Sequence, residues 1–315
     1  MTLITKNKMG KSLNIAFIGS VEFSEYILQS LLLLKNENIH ICAIVSKSIS
    51  KFNDDHCDLF PLAKEHAIPY LDYSESPDFL EKFLVENNPD VVYCFGWSHL
   101  ISLRIMNAAP YGAIGFHPTK LPMHRGRHPI IWTLVLGLKE TATTFFRIDE
   151  GADTGHILSQ KTLPVLFEDT AKTLYKKIIE QSILQVAKFS KQLRDGNANF
   201  VPQDDALSSY WRKRNIRDGL IDWRMSAVSI YNLIRALTKP YCGAQFAYKD
   251  QNITIWQSEV VDNSTSPNDA QRNYNEPGKV LIDNDIDVCV ECGDHSILRV
   301  RKHPDFPCFT VGEFL

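Results

Sequence analysis

Near the beginning of the 315-residue chain lies Asn14-Ile15-Ala16-Phe17-Ile18-Gly19-Ser20, from which the architecture can be worked out. Its apolar residues form a short β-branched and aromatic run, which is typical of a buried strand, and the glycine allows a tight turn. Apolar residues then recur at helical spacing: Phe23, Tyr26, Ile27, Leu31 and Leu34. The sequence therefore predicts a strand, a turn and a helix. The turn holds one glycine where a dinucleotide-binding fingerprint requires three, so the pattern disfavours NAD and FAD.

The same alternation continues through the first two thirds of the chain. Further strands are predicted at Ile39–Val45, Asp90–Phe95, Ala113–Phe116 and Thr143–Ile148. Helices are predicted at Asp78–Asn87, Ile130–Leu138 and Thr170–Leu193. Strands separated by helices favour a parallel sheet, because each connection then crosses over the sheet. We expect an α/β domain with an open, mainly parallel sheet over residues 1–200.

The pattern changes after a polar linker at residues 201–209. A helix is predicted at Ala227–Leu237, followed by short segments with strand character. These segments are Ala244–Tyr248, Ile253–Val260, Lys279–Ile282, Ile286–Cys292 and Ile297–Lys302. Their spacing is typical of a small antiparallel barrel. We therefore expect a second, OB-like β-barrel domain over residues 210–315, with a long exposed loop at residues 262–277.

The composition excludes several classes of protein. The chain holds 34 Lys+Arg against 37 Asp+Glu, and this net charge of −3 lacks the basic excess of a protein that holds nucleic acid by charge. No apolar run near the start approaches the ~20 residues that a membrane span needs, and residues 1–13 lack the apolar core of a signal peptide. We expect a cytoplasmic protein with no nucleic-acid or membrane partner.

The seven cysteines are odd in number and scattered, so they do not indicate a disulfide framework. Cys289 and Cys292 form a C-x-x-C pair, but they lie in a strand-like run and no second pair follows at zinc-ribbon spacing. His295, His303 and Cys308 could complete a zinc site, whereas ordinary strand cysteines explain the pair more simply. We predict reduced thiols and no metal site.

The densest group of polar residues follows the predicted strand Ala113–Phe116. It runs from His117 to Pro129 and contains three histidines, two arginines and a lysine. Ligands of open parallel sheets bind beyond the carboxyl ends of the strands, where this loop is expected. The planar donors of Arg125 and Arg127 suit a phosphate-bearing substrate. A solvated basic surface loop is the alternative interpretation.

Two residues suit proton transfer. His117 directly follows its strand, where a histidine can take a proton from an attacking nucleophile near neutral pH. Asp153 lies in the turn Gly151-Ala152-Asp153-Thr154-Gly155 and could orient an imidazole. A structural histidine and an ordinary D-x-G turn are the alternatives, since neither residue alone is specific.

The spacing of these motifs resembles a known family. His117 to Gly126, followed by Gly151 to Gly155, resembles the H-x-S-x-L-P-x-x-R-G and G-x-D-[TA]-G signatures of formyltransferases that use N10-formyltetrahydrofolate. The resemblance extends over almost the whole chain. Ile15–Phe23 is similar to the family's opening strand and turn, and Gly219–Trp223 and Leu233–Gly243 are similar to the start of its C-terminal barrel domain. The resemblance implies a Rossmann-like formyltransferase core.

Within the family, Arg125–Pro129 with Trp132, and Gly219–Trp223, are most similar to bacterial sugar N-formyltransferases. This resemblance implies transfer of a formyl group to the amine of a nucleotide-linked deoxyamino sugar. Such a product would be a precursor of a cell-surface polysaccharide, for example the lipopolysaccharide O-antigen. In this enzyme class His117 would take the amine proton, and Asp153 would tune that histidine.

The resemblance also implies which residues bind the two substrates. The family's folate pocket is lined by the segment after the third strand. N10-formyltetrahydrofolate is therefore expected at Phe95, Gly96, Trp97, Ser98 and Leu100. The nucleotide-linked sugar is expected at Thr119, Lys120, Arg125, Arg127 and His128. Dimers are the commonest closed assembly, and the barrel domain is the interface expected for a homodimer.

One position departs from the family's pattern. The family usually has an asparagine two residues before the histidine, where its amide stabilises the developing oxyanion, and this chain has Gly115. Loss of one such donor costs on the order of 10²–10³ in rate when nothing replaces it. Either a backbone N–H, His128 or a bound water takes its place, or the protein is a slow or non-catalytic relative that binds folate or nucleotide sugar.

A methionyl-tRNA formyltransferase shares the same two-domain plan and is the alternative enzyme. Residues 210–302 carry 13 Lys+Arg against 12 Asp+Glu, a nearly neutral balance for a domain that would hold tRNA. A protein that only binds has no need of a base with its orienting carboxylate, yet His117 and Asp153 are both present. The sequence therefore favours a sugar N-formyltransferase.

Overall fold

The computed structural model describes residues 11–49, 55–99, 101–261 and 275–315. The chain divides into two compact units, each assembled from segments that are not consecutive. The first unit comprises 1–125, 142–163 and 177–210, and the second unit comprises 126–141, 164–176 and 211–315. The two units interleave along the chain. The boundaries at residues 200 and 210, which assume two consecutive domains, stay a prediction.

Strands and helices alternate along the first half of the chain, and strands predominate near its end. The strands are β1 (Leu13–Ile18), β2 (Ile39–Ser46), β3 (Tyr70–Asp72), β4 (Val91–Cys94), β5 (Ala113–His117), β6 (Arg125–Gly126), β7 (Glu140–Arg147), β8 (Ile157–Pro164), β9 (Tyr210–Trp211), β10 (Ala244–Tyr248), β11 (Gln251–Ile255), β12 (Ser258–Val261), β13 (Val280–Asp283), β14 (Asp287–Glu291) and β15 (Ile297–Arg301). The α-helices are α1 (Glu22–Leu32), α2 (Phe60–Glu65), α3 (Leu80–Glu86), α4 (Leu103–Met106), α5 (Pro129–Val135), α6 (Ala171–Asp195) and α7 (Ala227–Leu237). Short 3-10 helices lie at Lys35–Glu37, Pro77–Phe79, Asp205–Leu207 and Ile216–Gly219.

The first unit is built around a sheet of seven strands in the order β3-β2-β1-β4-β5-β7-β8. Strands β3 to β5 run parallel, and β7 pairs antiparallel with β5. In that pair Gly115 lies opposite Phe146 and His117 lies opposite Thr144. The predicted α/β class with a mainly parallel sheet is confirmed. The structure adds β3, which is only three residues long, and β8, whose polar sequence has no clear alternation.

Burial explains why β1 forms at the centre of this sheet. Residues 15–18 are fully buried, as expected for a parallel strand covered on both faces. Aromatic rings fill one side of the sheet: Phe23 stacks on Phe116 at 4.2 Å between ring centroids, and Phe95 meets Phe145 edge-on at 5.2 Å. This packing fixes the ends of β4 and β5, from which the predicted site residues extend.

The turn after β1 brings α1 against the end of β4. The Ser24 hydroxyl donates to the Phe95 carbonyl at 2.6 Å. A Cβ at Gly19 would lie 2.5 Å from Ser24 and 2.6 Å from that carbonyl, so the close approach requires glycine at this position. The single glycine of the opening turn therefore serves helix packing.

The second unit holds α5, α7 and two antiparallel sheets, β10-β11 and β12-β15-β14-β13. An antiparallel C-terminal domain was predicted and is confirmed. Its strands form sheets of two and four, and the predicted strand Ile253–Val260 is two strands because Trp256 and Gln257 interrupt it. Helix α7 starts where predicted, since the Ser226 side chain accepts the Ser229 N–H at 3.1 Å. The predicted loop at 262–277 lies mainly outside the described residues.

Two features, a membrane-spanning helix and a metal-binding cluster, are absent from the residues that the structure describes. No helix there combines the length and apolar character needed to cross a membrane. No group of three or more His, Cys, Asp or Glu side chains there is arranged to hold a metal ion. Cys289 and Cys292, which form the C-x-x-C pair, are both buried, and burial raises the pKa of both thiols.

Candidate active site

His117 ends strand β5 and is buried, with 5% of its surface exposed. Its Nδ1 lies 3.5 Å from the Asp153 carboxylate, and its Nε2 lies 2.8 Å from the carbonyl oxygen of His124. Because a carbonyl can only accept, Nε2 must donate, and the neutral ring therefore carries its lone pair on Nδ1. The nitrogen that can take a proton thus faces the carboxylate, which can hold the proton once it is there.

Thr119 fixes the loop that follows His117. Its hydroxyl is fully buried and lies within hydrogen-bond distance of the carbonyls of Met123 and His124, at 3.1 and 3.3 Å. The Thr144 hydroxyl donates to the Thr119 carbonyl at 2.6 Å, which ties the loop to strand β7. We expected Thr119 to contact the substrate, but the structure places it inside the loop. Its role there is to present the His124 carbonyl that orients His117.

Asp153 is held by a tight turn after β7. It has a φ of 59°, and the Asp149 carboxylate accepts the Gly151 N–H at 3.1 Å and the Thr154 hydroxyl at 2.5 Å. A Cβ at Gly155 would lie 1.6 Å from the Arg147 carbonyl, so this turn closes against its own strand only with glycine. Gly155 therefore allows this turn to close, and the turn places the Asp153 carboxylate 3.5 Å from Nδ1 of His117.

Arg125 was expected to hold a substrate phosphate, but in the structure its guanidinium group binds other residues of the protein. Its side chain is 2% exposed, and all three guanidinium nitrogens bind protein groups. Nε and Nη2 donate to the Gln203 amide oxygen at 3.2 and 2.8 Å, Nη2 also to Asp205 at 2.8 Å, and Nη1 to the Tyr210 hydroxyl at 2.9 Å. With its donors occupied, Arg125 anchors the segment that the sequence marked as a linker.

Gln203 connects this buried arginine to the Asp153 turn. Its amide nitrogen donates to the carbonyls of Asp153 and Gly155, at 2.8 and 2.7 Å. The contacts Arg125–Gln203–Asp153, which we call the glutamine bridge, join the end of the histidine loop to the aspartate turn. Sequence reasoning missed Gln203 because nothing in the polar stretch 201–209 distinguishes it from its neighbours.

The segment predicted to bind folate follows β4. Its first residue lies in the core, and its later residues reach the surface. Phe95 is buried in the aromatic core, and Gly96 has a φ of 67°, where a Cβ would lie 2.1 Å from Val21. Trp97 and Ser98 are partly exposed, and Leu100 lies outside the described residues. Only the later part of the segment can therefore face a ligand with its side chains.

A lysine that the sequence reasoning missed lies beside Trp97. Lys47 follows strand β2 and is 8% exposed, with its Nζ 5.0 Å from the Trp97 ring and 5.9 Å from the Tyr73 ring. The Nζ also contacts Nε2 of His99. Burial lowers the pKa of Lys47, and burial followed by the Lys47 charge lowers the pKa of His99. Aromatic faces and a cation thus meet beyond the carboxyl ends of β2 and β4, where ligands of such sheets bind.

The remaining predicted substrate residues are Lys120, Arg127 and His128. Lys120 is half-buried in the first unit, whereas Arg127 and His128 belong to the second unit. The Arg127 side chain is exposed, and its backbone N–H donates to the Trp211 carbonyl at 3.1 Å. Burial, together with Arg127, lowers the pKa of His128, which has a φ of 54° just before α5.

Gly115 leaves no empty space for the asparagine side chain of the resembled family. A Cβ built there would lie 3.0 Å from Cγ1 of Ile148 and 3.1 Å from Cζ of Phe146. Both neighbours are apolar, so hydrophobic packing fills the space beside Gly115.

Comparison with known proteins identifies the family. Residues 13–186 match the family described as "Formyl transferase", and residues 215–304 match "Formyl transferase, C-terminal domain". The bifunctional polymyxin resistance protein ArnA of Wigglesworthia glossinidia brevipalpis is 36% identical over 224 residues, which are 71% of this chain and 32% of that protein. The chain thus spans about a third of the length of this curated relative.

Two solved structures share the fold over nearly the whole chain. WlaRD, described as a sugar 3N-formyl transferase with dTDP and 5-N-formyl-THF, is 18% identical at a TM-score of 0.67, covering 94% of this chain and 100% of its own. An N-formyltransferase from Helicobacter canadensis, solved with folinic acid and dTDP-3-aminofucose, is 17% identical at a TM-score of 0.67, covering 92% and 100%. Since the first family match alone covers more than half of the residues, the chain belongs to the formyl transferase family.

Proposed function

We propose that this protein transfers a formyl group from N10-formyltetrahydrofolate to the amine of a nucleotide-linked deoxyamino sugar. The observation that carries the proposal is the pairing of His117 with Asp153 at the carboxyl end of β5, at 3.5 Å, in a chain of the formyl transferase family. Two structures of the same fold support a nucleotide-linked sugar as the acceptor. WlaRD and the Helicobacter canadensis enzyme are both described as N-formyltransferases, and both were solved with a folate and a dTDP ligand.

The residues after β2, β3 and β4 suit a folate. The Trp97 and Tyr73 rings offer faces to a flat pterin, and Lys47 offers a cation to a carboxylate. When bound, the folate supplies a formyl carbon that an amine can attack. The chain's own part is to hold this group beyond the strand ends and to keep His99 as a neutral acceptor for Lys47, since the pKa of His99 is lowered.

In the proposed reaction the sugar amine attacks the formyl carbon. His117 takes the amine proton at Nδ1, while its Nε2–H stays on the His124 carbonyl. The Asp153 carboxylate stabilises the resulting imidazolium, and the proton then passes to the folate nitrogen as the carbon–nitrogen bond to tetrahydrofolate breaks. With glycine at 115, stabilisation of the oxyanion is assigned to groups other than the side chain of that residue, such as a backbone N–H or bound water.

The test is a panel of nucleotide-linked 3-amino and 4-amino sugars incubated with N10-formyltetrahydrofolate and read by mass spectrometry. We expect one acceptor to gain a single formyl group in an amide bond. Charged initiator tRNA is included as a competing acceptor, because a methionyl-tRNA formyltransferase has the same two-domain plan. Formylation of the tRNA with none of the sugars would overturn the proposal.

If folate or a nucleotide sugar binds but no acceptor is formylated, the result would favour the alternative raised by Gly115, a relative that binds these molecules without catalysis. The matched control for any positive result is His117→Asn, which keeps a polar side chain of similar reach and removes the base. Formylation that persists at the wild-type rate in this variant would show that His117 is not the base.

A further inference from the structure

The peptide group between His124 and Arg125 contacts both His117 and Ser209, all within the first unit. Its carbonyl oxygen accepts the Nε2–H of His117 at 2.8 Å, and its N–H, which belongs to Arg125, donates to the Ser209 carbonyl at 2.9 Å. Because a peptide group is planar, a contact that fixes its N–H also fixes the direction of its carbonyl. The position of Ser209 is therefore transmitted to the imidazole through one rigid unit.

Ser209 also binds the preceding peptide group of the histidine loop. Its hydroxyl accepts the His124 N–H at 2.9 Å. His124 has a φ of 64°, in the left-handed region that residues other than glycine rarely adopt, so neighbouring groups must hold its backbone there. The two bonds to Ser209 hold the peptide groups on both sides of His124, and they thereby fix the carbonyl that faces His117.

Side-chain contacts hold Ser209 itself in place. The hydroxyl of the adjacent Tyr210 accepts from Nη1 of Arg125 at 2.9 Å, and the Tyr210 ring lies 5.6 Å from the guanidinium carbon. Earlier in the same segment, Asp205 accepts from Nη2 of Arg125 at 2.8 Å. One buried arginine thus anchors the chain before and after Ser209, and the glutamine bridge starts from the same segment.

The tautomer of His117 depends on the carbonyl that Ser209 fixes. A neutral imidazole carries one proton, and the Asp153 carboxylate alone would favour that proton on Nδ1, since a charged acceptor makes the stronger hydrogen bond. A proton on Nδ1 would leave this nitrogen without a lone pair for the amine proton. In the structure the carboxylate lies 3.5 Å from Nδ1, whereas the carbonyl lies 2.8 Å from Nε2. The shorter contact therefore places the proton on Nε2.

We propose that Ser209 is a positioning residue for His117. Through the peptide group between His124 and Arg125, Ser209 keeps the imidazole in its Nε2–H tautomer, which leaves the Nδ1 lone pair available to the amine proton. The Thr119 hydroxyl supports the same carbonyl from inside the loop, at 3.3 Å. This inference rests on the proposed function and deepens it by naming the residue that prepares the base.

The first test is ¹⁵N NMR of the full chain labelled at its ten histidines, at about pH 8, where an ordinary imidazole is neutral. His117→Asn assigns the His117 signals, because they disappear in that variant. We expect the wild type to carry the proton on Nε2. In Ser209→Ala the ratio of the Nε2–H to the Nδ1–H tautomer should fall about 3- to 10-fold, which is the contribution of one neutral hydrogen bond.

Two further variants are the controls for this measurement. Ser209→Thr keeps the hydroxyl and should keep the wild-type ratio. Ser208→Ala removes the neighbouring hydroxyl, which has no hydrogen-bond partner among the described residues, and should also leave the ratio unchanged. Ser209 is exposed, so its variants are expected to fold, and thermal unfolding checks this. An unchanged tautomer ratio in a folded Ser209→Ala would overturn the proposal.

Steady-state kinetics with the acceptor that the sugar panel identifies separates this inference from the proposed function. We expect kcat of Ser209→Ala to be about 2- to 10-fold lower, with both KM values within about twofold, since Ser209 acts on the base and not on binding. A Ser209-dependent tautomer without formylation of any sugar would leave the positioning role standing and contradict the function. Formylation with the same kcat and the same tautomer in Ser209→Ala would leave the function standing and overturn the positioning role.

Discussion

Arg125 of the first unit is buried and Arg214 of the second unit is half-buried, and the two differ in how their guanidinium nitrogens are paired. Arg125 has a protein partner for each guanidinium nitrogen, whereas two nitrogens of Arg214 are buried without one among the described residues. A closed network of this kind organises the protein itself, because every donor serves the fold. The two unpaired nitrogens of Arg214 make no such bonds, so Arg214 contributes less to the stability of the fold than Arg125 does.

The largest effect on stability is expected from Arg125→Met. The substitution removes four hydrogen bonds of the buried guanidinium and leaves the half-buried Gln203 amide oxygen without its donor, and we expect a loss of about 2–3 kcal/mol in the free energy of unfolding. Denaturant titration measures this. Arg224→Met is the control and should change the free energy by less than about 0.5 kcal/mol. An equal, small effect of both substitutions would remove the contrast between the two arginines.

Gln203→Glu separates the two halves of the glutamine bridge. The carboxylate still accepts from Arg125, but it cannot donate to the carbonyls of Asp153 and Gly155. We expect a loss of about 1–2 kcal/mol in the free energy of unfolding, faster hydrogen exchange in the Asp153 turn, and a kcat about 10-fold lower, the lower end of effects seen for supporting residues. Unchanged exchange and unchanged kcat would show that the bridge does not position the aspartate.

Gly115→Asn tests whether the first unit is as fully packed as its network indicates. The added Cβ would lie 3.0 Å from Ile148, so we expect a loss of about 1–2 kcal/mol in the free energy of unfolding and no gain in rate. Gly115→Ala adds the same carbon without the amide and serves as the control. A large rate increase in the asparagine variant alone would show that the chain lacks only the oxyanion donor.

The smallest effect on stability is expected from Arg214→Met without ligand. The variant loses one hydrogen bond to Asp218, but it also removes two buried donors that have no partner among the described residues, so the free energy of unfolding should change by about 0.5 kcal/mol or less. Chemical unfolding of the ligand-free protein measures it. A loss as large as that of Arg125→Met would mean that Arg214 is a structural residue like Arg125.

Local patterns predicted the elements that they alone determine. The buried run of β1, the capped helix α7 and strand β10 form where their own residues indicate, since periodicity and a serine cap act within a few positions. Strands β3 and β8 were missed because β3 is only three residues long and the polar sequence of β8 has no clear alternation. The predicted strand Ile253–Val260 is two strands, because Trp256 and Gln257 interrupt it.

The functional site shows the same limit: local motifs identified some of its residues, whereas others are recognised only by their contacts in the folded chain. Motif spacing singled out His117 and Asp153, and the structure places Nδ1 and the carboxylate 3.5 Å apart. The same reasoning could not tell Arg125 from Arg127, because a guanidinium's task depends on which distant groups reach it. Gln203, Lys47 and Arg214 carry no local signal at all, since their importance comes from how their side chains are paired in the folded chain.

The proposed chemistry depends above all on Nδ1 of His117, which faces Asp153 and takes the proton of the attacking amine. The single-turnover rate of formyl transfer by His117→Asn, together with its affinity for the nucleotide-linked acceptor, tests this role without interference from product release. We predict that the rate falls by about 10²–10⁴-fold, while the affinity for the acceptor stays within a few-fold of the wild type. Transfer of the formyl group at the wild-type rate by this variant would contradict the assignment of His117 as the base.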